Sequence, residues 1–203
     1  QRQMCIRDSN GGDVADSLAF GAVRGARGNS GMVLSQVLRG VAESTVDSVI
    51  DGDVFARSLQ QAVELVDRAI AEPVEGTVIT VLKAAAEAAD DAEAQSGATL
   101  HSIVSAAIAA AEKALERTPS QLPALREAGV VDAGGAGLVI LLESLLAEIE
   151  GSTGHTGLPD PEPDTELEVV FFFEGDIDTL QLAIEPLGDS LVIARATEDS
   201  ANV

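Results

Sequence analysis

Gly25-Ala26-Arg27-Gly28-Asn29-Ser30-Gly31 runs directly into the apolar, periodic segment Met32-Val33-Leu34-Ser35-Gln36-Val37-Leu38. Glycine allows a ligand to approach the main chain, Asn29 or Ser30 can cap the following helix, and first-turn N–H groups attract negative charge. The stretch therefore predicts a turn between two helices that either binds phosphate or is purely structural. It is not a Walker loop, because no Gly-Lys-Ser/Thr follows, and it is not a dinucleotide fingerprint, because no strand precedes it.

Helical periodicity extends on both sides of this turn. Residues 13–24 predict a weakly amphipathic helix with Val14, Leu18 and Ala22 on one face, and five apolar stripes follow the turn. The stripes are Val33, Val37 and Val41 with Leu34 and Leu38; Phe55, Leu59, Val63, Val66 and Ile70; Ile79, Leu82, Ala86 and Ala89; Leu100, Val104, Ala107, Ala111 and Leu115 behind a Thr99 cap; and, after a shorter helix at residues 121–128, Leu138, Leu142, Leu145 and Ile149. Because no strand pattern interrupts residues 10–149, we predict a mainly α fold, a helical bundle or barrel with small, Ala-rich contact faces.

The pattern changes after the last of these helices. Residues 151–165 are rich in glycine, proline and acidic residues and predict a linker. Residues 166–203 then predict the β-α-β start of an α/β domain. Its elements are a strand at 167–173, a short helix at 177–187 and a strand at 191–196. Residues 1–9 lack a clear period, and we expect them to be a non-native leader before a partial helical domain at 10–150, in a fragment cut at both ends.

Composition restricts the classes of protein and of partner. The 203 residues carry a net charge of −22 and only 2% aromatic side chains, so the core must be built from Ala, Leu, Val and Ile. A field this negative repels nucleic acid and anionic membranes, so neither is expected as a partner. The single cysteine, Cys5, permits no intramolecular disulfide, which favours the cytoplasm. No apolar run approaches the roughly 20 residues that a membrane-spanning helix needs.

Two further loops resemble the opening stretch in chemistry. Residues 72–77 (Glu-Pro-Val-Glu-Gly-Thr) precede a helix expected at 78–89, and residues 129–137 (Gly-Val-Val-Asp-Ala-Gly-Gly-Ala-Gly) precede one expected at 138–149. Taken singly, the first is equally well a proline-started turn and the second a set of glycines that allow close helix contact. Three such loops in one helical domain predict that several helix N-termini converge on one anionic ligand.

These loops, with their order and spacing, resemble the nucleotide-binding domain of fatty acid kinase catalytic subunits, which are relatives of the ADP-binding L subunit of dihydroxyacetone kinase. The likeness lies in residues 25–31 with 33–40, in 73–77 and in 129–135, and it extends over about residues 10–150. Residues 165–167 and 187–192 are similar to the start of the middle domain of the same proteins.

The resemblance implies a helical barrel that holds Mg–ATP at one end. It implies these nucleotide-binding residues: Gly28, Asn29, Ser30 and Gly31 at the phosphates, Gly76 and Thr77 at the border of the nucleotide, and Asp132, Ala133 and Gly134 along the pocket edge. It further implies a separate lipid-binding partner protein that presents a fatty acid, whose carboxylate takes the γ-phosphoryl group to give an acyl phosphate for phospholipid synthesis. A homodimer is compatible with it.

One departure from the family pattern concerns magnesium. The family carries Asp-Gly-Asp-Thr-Gly upstream of the glycine turn, and its aspartates hold the metal, whereas this chain has no such motif. Asp51-Gly52-Asp53 follows the turn, and we interpret it as a helix cap. We therefore assign no metal ligand and no catalytic residue, and expect weak nucleotide binding without phosphoryl transfer. His101 and His155 are expected at the surface or in the linker.

Two other functions remain open at this point. One is a dihydroxyacetone-type phosphotransferase subunit, which shares the barrel but is usually a lone helical domain. The other is a non-catalytic nucleotide-binding scaffold or sensor, which would bind ADP without magnesium and recruit a partner through its acidic surface.

Overall fold

The computed structural model describes residues 11–45, 49–151, 172–184, 193–197 and 200–202, and every structural statement below concerns these residues. The part of the chain before the predicted linker is helical, as predicted. The helices are α1 (Gly11–Gly25), α2 (Gly28–Ser44), α3 (Gly52–Ala69), α4 (Val78–Glu93), α5 (Leu100–Leu115), α6 (Thr118–Gln121), α7 (Pro123–Ala128) and α8 (Ala133–Ile149). In the described ranges, none of the helices is both long and apolar enough to cross a bilayer.

Side-chain caps fix where four of the long helices begin. Asp51, Thr77, Thr99 and Asp132 accept hydrogen bonds from backbone N–H groups at the starts of α3, α4, α5 and α8. Thr99 forms a reciprocal capping box with Ser102. The predicted capping roles of Thr99 and Asp51 are thereby confirmed.

The predicted cap of α2 is wrong. Arg27 occupies the N-cap position and makes no capping hydrogen bond with its side chain, while Asn29 and Ser30 already lie in the first turn. The cause is the brevity of the turn, because α1 ends at Gly25 and only Ala26 and Arg27 separate the two helices.

The core consists of small aliphatic side chains, as the composition requires. Fully buried alanines line the α4–α5 contact, and the buried members of the five stripes join them in one cluster. On α1, however, the predicted face is wrong: Val14 and Leu18 are 38% and 55% exposed, whereas Ala19 and Val23 are buried. Small side chains on the buried face let α1 pack closely against α2.

The predicted bounds differ from the structure at two places after α5. The helix expected at residues 121–128 is two short helices, each with a proline at its start (Pro119 in α6 and Pro123 in α7). Proline is compatible with the first turn of a helix and interrupts a longer one. Helix α8 begins at Ala133 rather than at residue 138, so Gly134 and Gly135 lie inside its first turn.

The tail contains β1 (Phe172–Glu174), α9 (Ile177–Ile184), β2 (Ala194–Thr197) and β3 (Ser200–Asn202). This confirms the predicted β-α-β order and adds a third strand, which pairs antiparallel with both others in the order β1-β3-β2. Ser-Ala-Asn carries no apolar run, so no sequence pattern predicts β3. The expected leader, nearly all of the expected linker and parts of both predicted strands lie outside the described residues.

The tail packs on the helices through a few specific contacts. The N–H of Ile193 donates to the carbonyl of Ala69 at the end of α3, at 2.9 Å. The guanidinium of Arg24 lies 4.5 Å from the ring centroid of Phe172, and Arg39 donates to the carbonyl of Arg195. The sheet therefore lies beside α1, α2 and the end of α3.

Candidate functional site

The three loops that the sequence singled out meet at one cavity of about 210 Å³. The N-terminal ends of α2, α4 and α8 surround it, together with the loop between α3 and α4. Its lining residues are Asn29, Ser30, Val33, Ile70, Glu72, Val74, Thr77, Val78, Ile79 and Asp132. The three loops therefore lie together as expected, and their binding of an anionic ligand stays a prediction.

Glycine at the start of α8 makes this convergence possible. A Cβ on Gly134 would lie 2.6 Å from the Oγ of Ser30 and 3.2 Å from the Cβ of Val78. A Cβ on Gly135 would lie 2.8 Å from a methyl group of Val81. Any larger residue would separate α8 from α2 and α4, so the glycines bring three helix starts into contact.

Asp132 joins two of the three helix starts. Its carboxylate accepts a hydrogen bond from the N–H of Gly135 at 2.6 Å, and the N–H groups of Val78 and Gly134 lie near enough to favour its charged form. Its own N–H donates to the hydroxyl of the fully buried Thr118 at 3.1 Å. Burial raises the pKa of this carboxyl above its ordinary value of 3.8, and the three N–H groups partly oppose that shift. Asp132 thus supplies negative charge to the N-termini of both α4 and α8.

The start of α2 differs from the other two because no side chain caps it. The Arg27 side chain makes no cap, and the first turn contains no acidic residue. At the start of α4, by contrast, the hydroxyl of Thr77 accepts from the N–H of Ile79 at 3.4 Å and donates to the carbonyl of Val74 at 2.8 Å. The first-turn N–H groups of α2 are therefore the ones left for an external anion.

The predicted site residues divide into two groups. Asn29, Ser30, Thr77 and Asp132 line the cavity, and Gly134 lies directly behind Ser30. The other four predicted residues do not line it. Gly28 and Gly31 belong to the first turn of α2, and Ala133 is the exposed first residue of α8. Gly76 packs elsewhere.

Gly76 has a structural role in this arrangement. Its φ is +83°, and a Cβ there would lie 2.9 Å from the Cβ of Gln121, so both its conformation and its packing favour glycine. The lining residues outside the predicted set are apolar except for Glu72. Val33, Ile70 and Ile79 were assigned to core stripes, and only the packing shows that they also face a cavity.

The size of the cavity and the number of acidic side chains limit which ligands the described residues can hold. Sites for drug-sized ligands usually measure about 300–1,000 Å³, so this cavity is smaller than a site that encloses a whole nucleotide. Within the described ranges, no group of three or more His, Cys, Asp or Glu side chains could hold a metal ion. The described residues therefore do not fit a complete magnesium site.

Comparison with known proteins places the chain in a family. Residues 2–147 match the model of the DAK2 domain. Protein YloV of Bacillus subtilis strain 168 is 41% identical over 143 residues, which cover 70% of this chain and 26% of that protein. Uncharacterised proteins of Staphylococcus saprophyticus and Staphylococcus epidermidis are 36% and 37% identical, over 83% and 84% of this chain and 30% and 31% of their own lengths.

The chain thus spans between about a quarter and a third of the length of these relatives. The family model, in contrast, covers well over half of the chain, and it matches the helical part that builds the cavity. The chain belongs to the DAK2 domain family, the family of the dihydroxyacetone kinase L subunit.

Proposed function

We propose that this chain is the nucleotide-binding part of an ATP-dependent kinase, and that the cavity between α2, α4 and α8 binds the phosphates of the nucleotide. The observation that carries the proposal is the first turn of α2, which has no cap and no acid and borders a cavity formed by two other helix starts. In this proposal Asn29 and Ser30 orient the phosphates, with Thr77 and Gly134 at their border. Membership of the DAK2 family supports a phosphoryl-transfer role.

Charge determines what else the reaction requires. A helix start contributes only about 0.3–1 kcal/mol toward an anion, and the net charge of −22 opposes ATP. Bound magnesium would neutralise phosphate charge, and we propose that its ligands belong to a part of the protein outside this chain. The role of the described residues is then to position the phosphates and to exclude water around them.

For the acceptor, we propose a fatty acid carboxylate presented by a separate lipid-binding protein, with an acyl phosphate as the product. This rests on the resemblance of all three loops and of the tail to fatty acid kinase catalytic subunits. In the transfer, a carboxylate oxygen forms a bond to the γ-phosphorus while the bond from that phosphorus to the β,γ-bridging oxygen breaks, and ADP leaves. The DAK2 match favours dihydroxyacetone as the second candidate acceptor.

The test is an acceptor comparison with the full-length protein. ATP and magnesium are supplied with oleate and a lipid-binding partner in one reaction and with dihydroxyacetone in another. Acyl phosphate, trapped as a hydroxamate, supports the proposal. Phosphorylation of dihydroxyacetone would show that the proposed acceptor is wrong and that the proposed kinase activity is right. ADP binding without magnesium and without turnover on either acceptor would favour the non-catalytic scaffold instead.

A further inference from the structure

A second cavity, of about 310 Å³, lies where the helices meet the tail. We call it the arginine cleft, because three arginines line it: Arg39 from α2, Arg68 from α3 and Arg195 from β2. Gln36 and Gln181 also line it. It shares no lining residue with the cavity at the starts of α2, α4 and α8.

Basic residues are concentrated in the lining of this cleft, although the chain as a whole is acidic. The sequence has 12 Lys and Arg against 34 Asp and Glu, yet three of the 12 basic side chains line this one cavity and no acidic side chain does. Because the chain as a whole repels anions, an anion that binds here must be held by local contacts.

Each guanidinium is held in place by a carboxylate outside the lining. The pairs are Arg39 with Glu43 at 2.7 Å, Arg68 with Glu64 at 2.9 Å, and Arg195 with Asp178. Arg39 also donates to the carbonyl of Arg195, and Arg68 to the carbonyl of Glu64. A guanidinium has five N–H groups, and the described bonds use two on Arg39, two on Arg68 and one on Arg195. Several donors per arginine remain for a ligand.

The remaining lining is apolar. Leu65, Ala69 and Ile193 complete the cavity, and its volume is at the lower end of the range for small-molecule sites. Planar guanidinium groups bind carboxylate and phosphate through paired N–H donors. This combination suits a small ligand that carries an oxyanion and has a short apolar portion.

We propose that the arginine cleft binds a small molecule bearing an oxyanion, a carboxylate or a phosphate, independently of the nucleotide site. Arg39 and Arg68 belong to the helices and Arg195 to the sheet, so the bound oxyanion connects the two parts of the chain. Ligand binding then stabilises the contact between α2, the end of α3 and β2.

The test uses pyrophosphate and succinate as separate probes, titrated calorimetrically into the chain at about 0.15 M NaCl, where distant charges are screened. Saturable binding of at least one probe is expected, and the probe that binds identifies the oxyanion. Arg68→Gln and Arg195→Gln should each weaken binding about tenfold, since each removes charge-assisted hydrogen bonds. Arg57→Gln is the matched control, because Arg57 also lies on α3 and pairs with an acid four residues away, yet does not line the cleft.

Two further comparisons decide the interpretation. Asn29→Asp, at the other cavity, should leave unchanged the binding of succinate and the part of pyrophosphate binding that depends on Arg68 and Arg195. Thermal unfolding should show that all variants are folded. Absence of saturable binding for both probes overturns the proposal. Equal weakening by Arg57→Gln, or weakening by Asn29→Asp in place of Arg68→Gln, overturns it as well.

Discussion

Gly134 lies where α8 leaves no room for a methyl group. Alanine there would place its Cβ 3.0 Å from the Cβ of Ser30 and 3.2 Å from that of Val78, so α8 must move away from α2 and α4. We expect Gly134→Ala to destabilise the chain by about 1–3 kcal/mol. Gly137→Ala, three residues later in the same helix and with nothing near its Cβ, should stabilise it by about 0.5–1 kcal/mol. Urea denaturation measures both, and equal effects would contradict the close contact.

Asp132 predicts a pH dependence with a definite sign. Because burial raises its pKa above 3.8, its contribution to stability is complete below pH 3.8 and is lost as the pH rises through the raised pKa. Asp132→Asn retains a capping oxygen but cannot ionise. The free energy of unfolding of the variant, relative to wild type, should therefore increase as the pH rises through that window. Urea denaturation from about pH 3.5 to about pH 7 measures the difference.

Asp176 provides a control of opposite sign when the same urea denaturation is extended to pH values below 3.8. Hydrogen bonds from Thr179 lower the pKa of its carboxyl below 3.8. Wild type should therefore lose stability relative to Asp176→Asn as the pH falls through the lowered pKa. If the Asp132 and Asp176 variants followed the same trend with pH, the assigned environment of Asp132 would be wrong.

Helix α2 crosses α3 at Gly40, where only glycine leaves enough room for the two backbones to approach. A Cβ on Gly40 would lie 2.5 Å from the carbonyl oxygen of Ser58 and 2.9 Å from the nitrogen of Ala62, both backbone atoms that cannot rotate away. Gly40→Ala should cost about 2–3 kcal/mol of stability. Gly21→Ala in α1, where the added Cβ meets nothing, should be neutral or stabilising. A neutral Gly40→Ala in chemical denaturation would contradict this crossing.

The same elements show which features a sequence can predict. The starts of α3 and α5 followed from Asp51 and Thr99, because capping depends on residues only a few positions apart. The buried face of α1 and the uncapped start of α2 depend on how α1 and α2 meet, which no local pattern records. The three loops were found because glycines and caps are local signals. The arginine cleft was not, since Arg39, Arg68 and Arg195 come together only through the fold.

For the whole molecule, the dominant property is its charge. At a net charge of −22, repulsion among surface carboxylates opposes the compact state. Raising NaCl from about 0.01 M to about 0.15 M shortens the screening length from about 30 Å to about 8 Å. We expect the midpoint of thermal unfolding to rise by several degrees over this range, as followed by circular dichroism. A midpoint that stays constant or falls would show that the surface charges are already compensated by local pairing.

The central claim is that the first turn of α2 binds phosphate in a cavity shared with the starts of α4 and α8. Asn29→Asp tests it because the added charge has opposite effects on folding and on binding. A negative group at a helix start stabilises the helix by about 0.3–1 kcal/mol, yet it repels a phosphate beside it. Gln95→Glu adds the same charge just beyond the far end of α4, about 25 Å along that helix at 1.5 Å per residue.

The most direct measurement is an ADP titration followed through the backbone amide signals of the chain. Wild type should show weak, saturable shifts at Asn29, Ser30 and Gly134. Asn29→Asp should weaken ADP binding about tenfold, because the added carboxylate lies close to the phosphates, and it should raise thermal stability. Gln95→Glu should leave ADP binding unchanged. Shifts confined to other parts of the chain, or an Asn29→Asp variant that binds ADP as well as wild type, would contradict the claim.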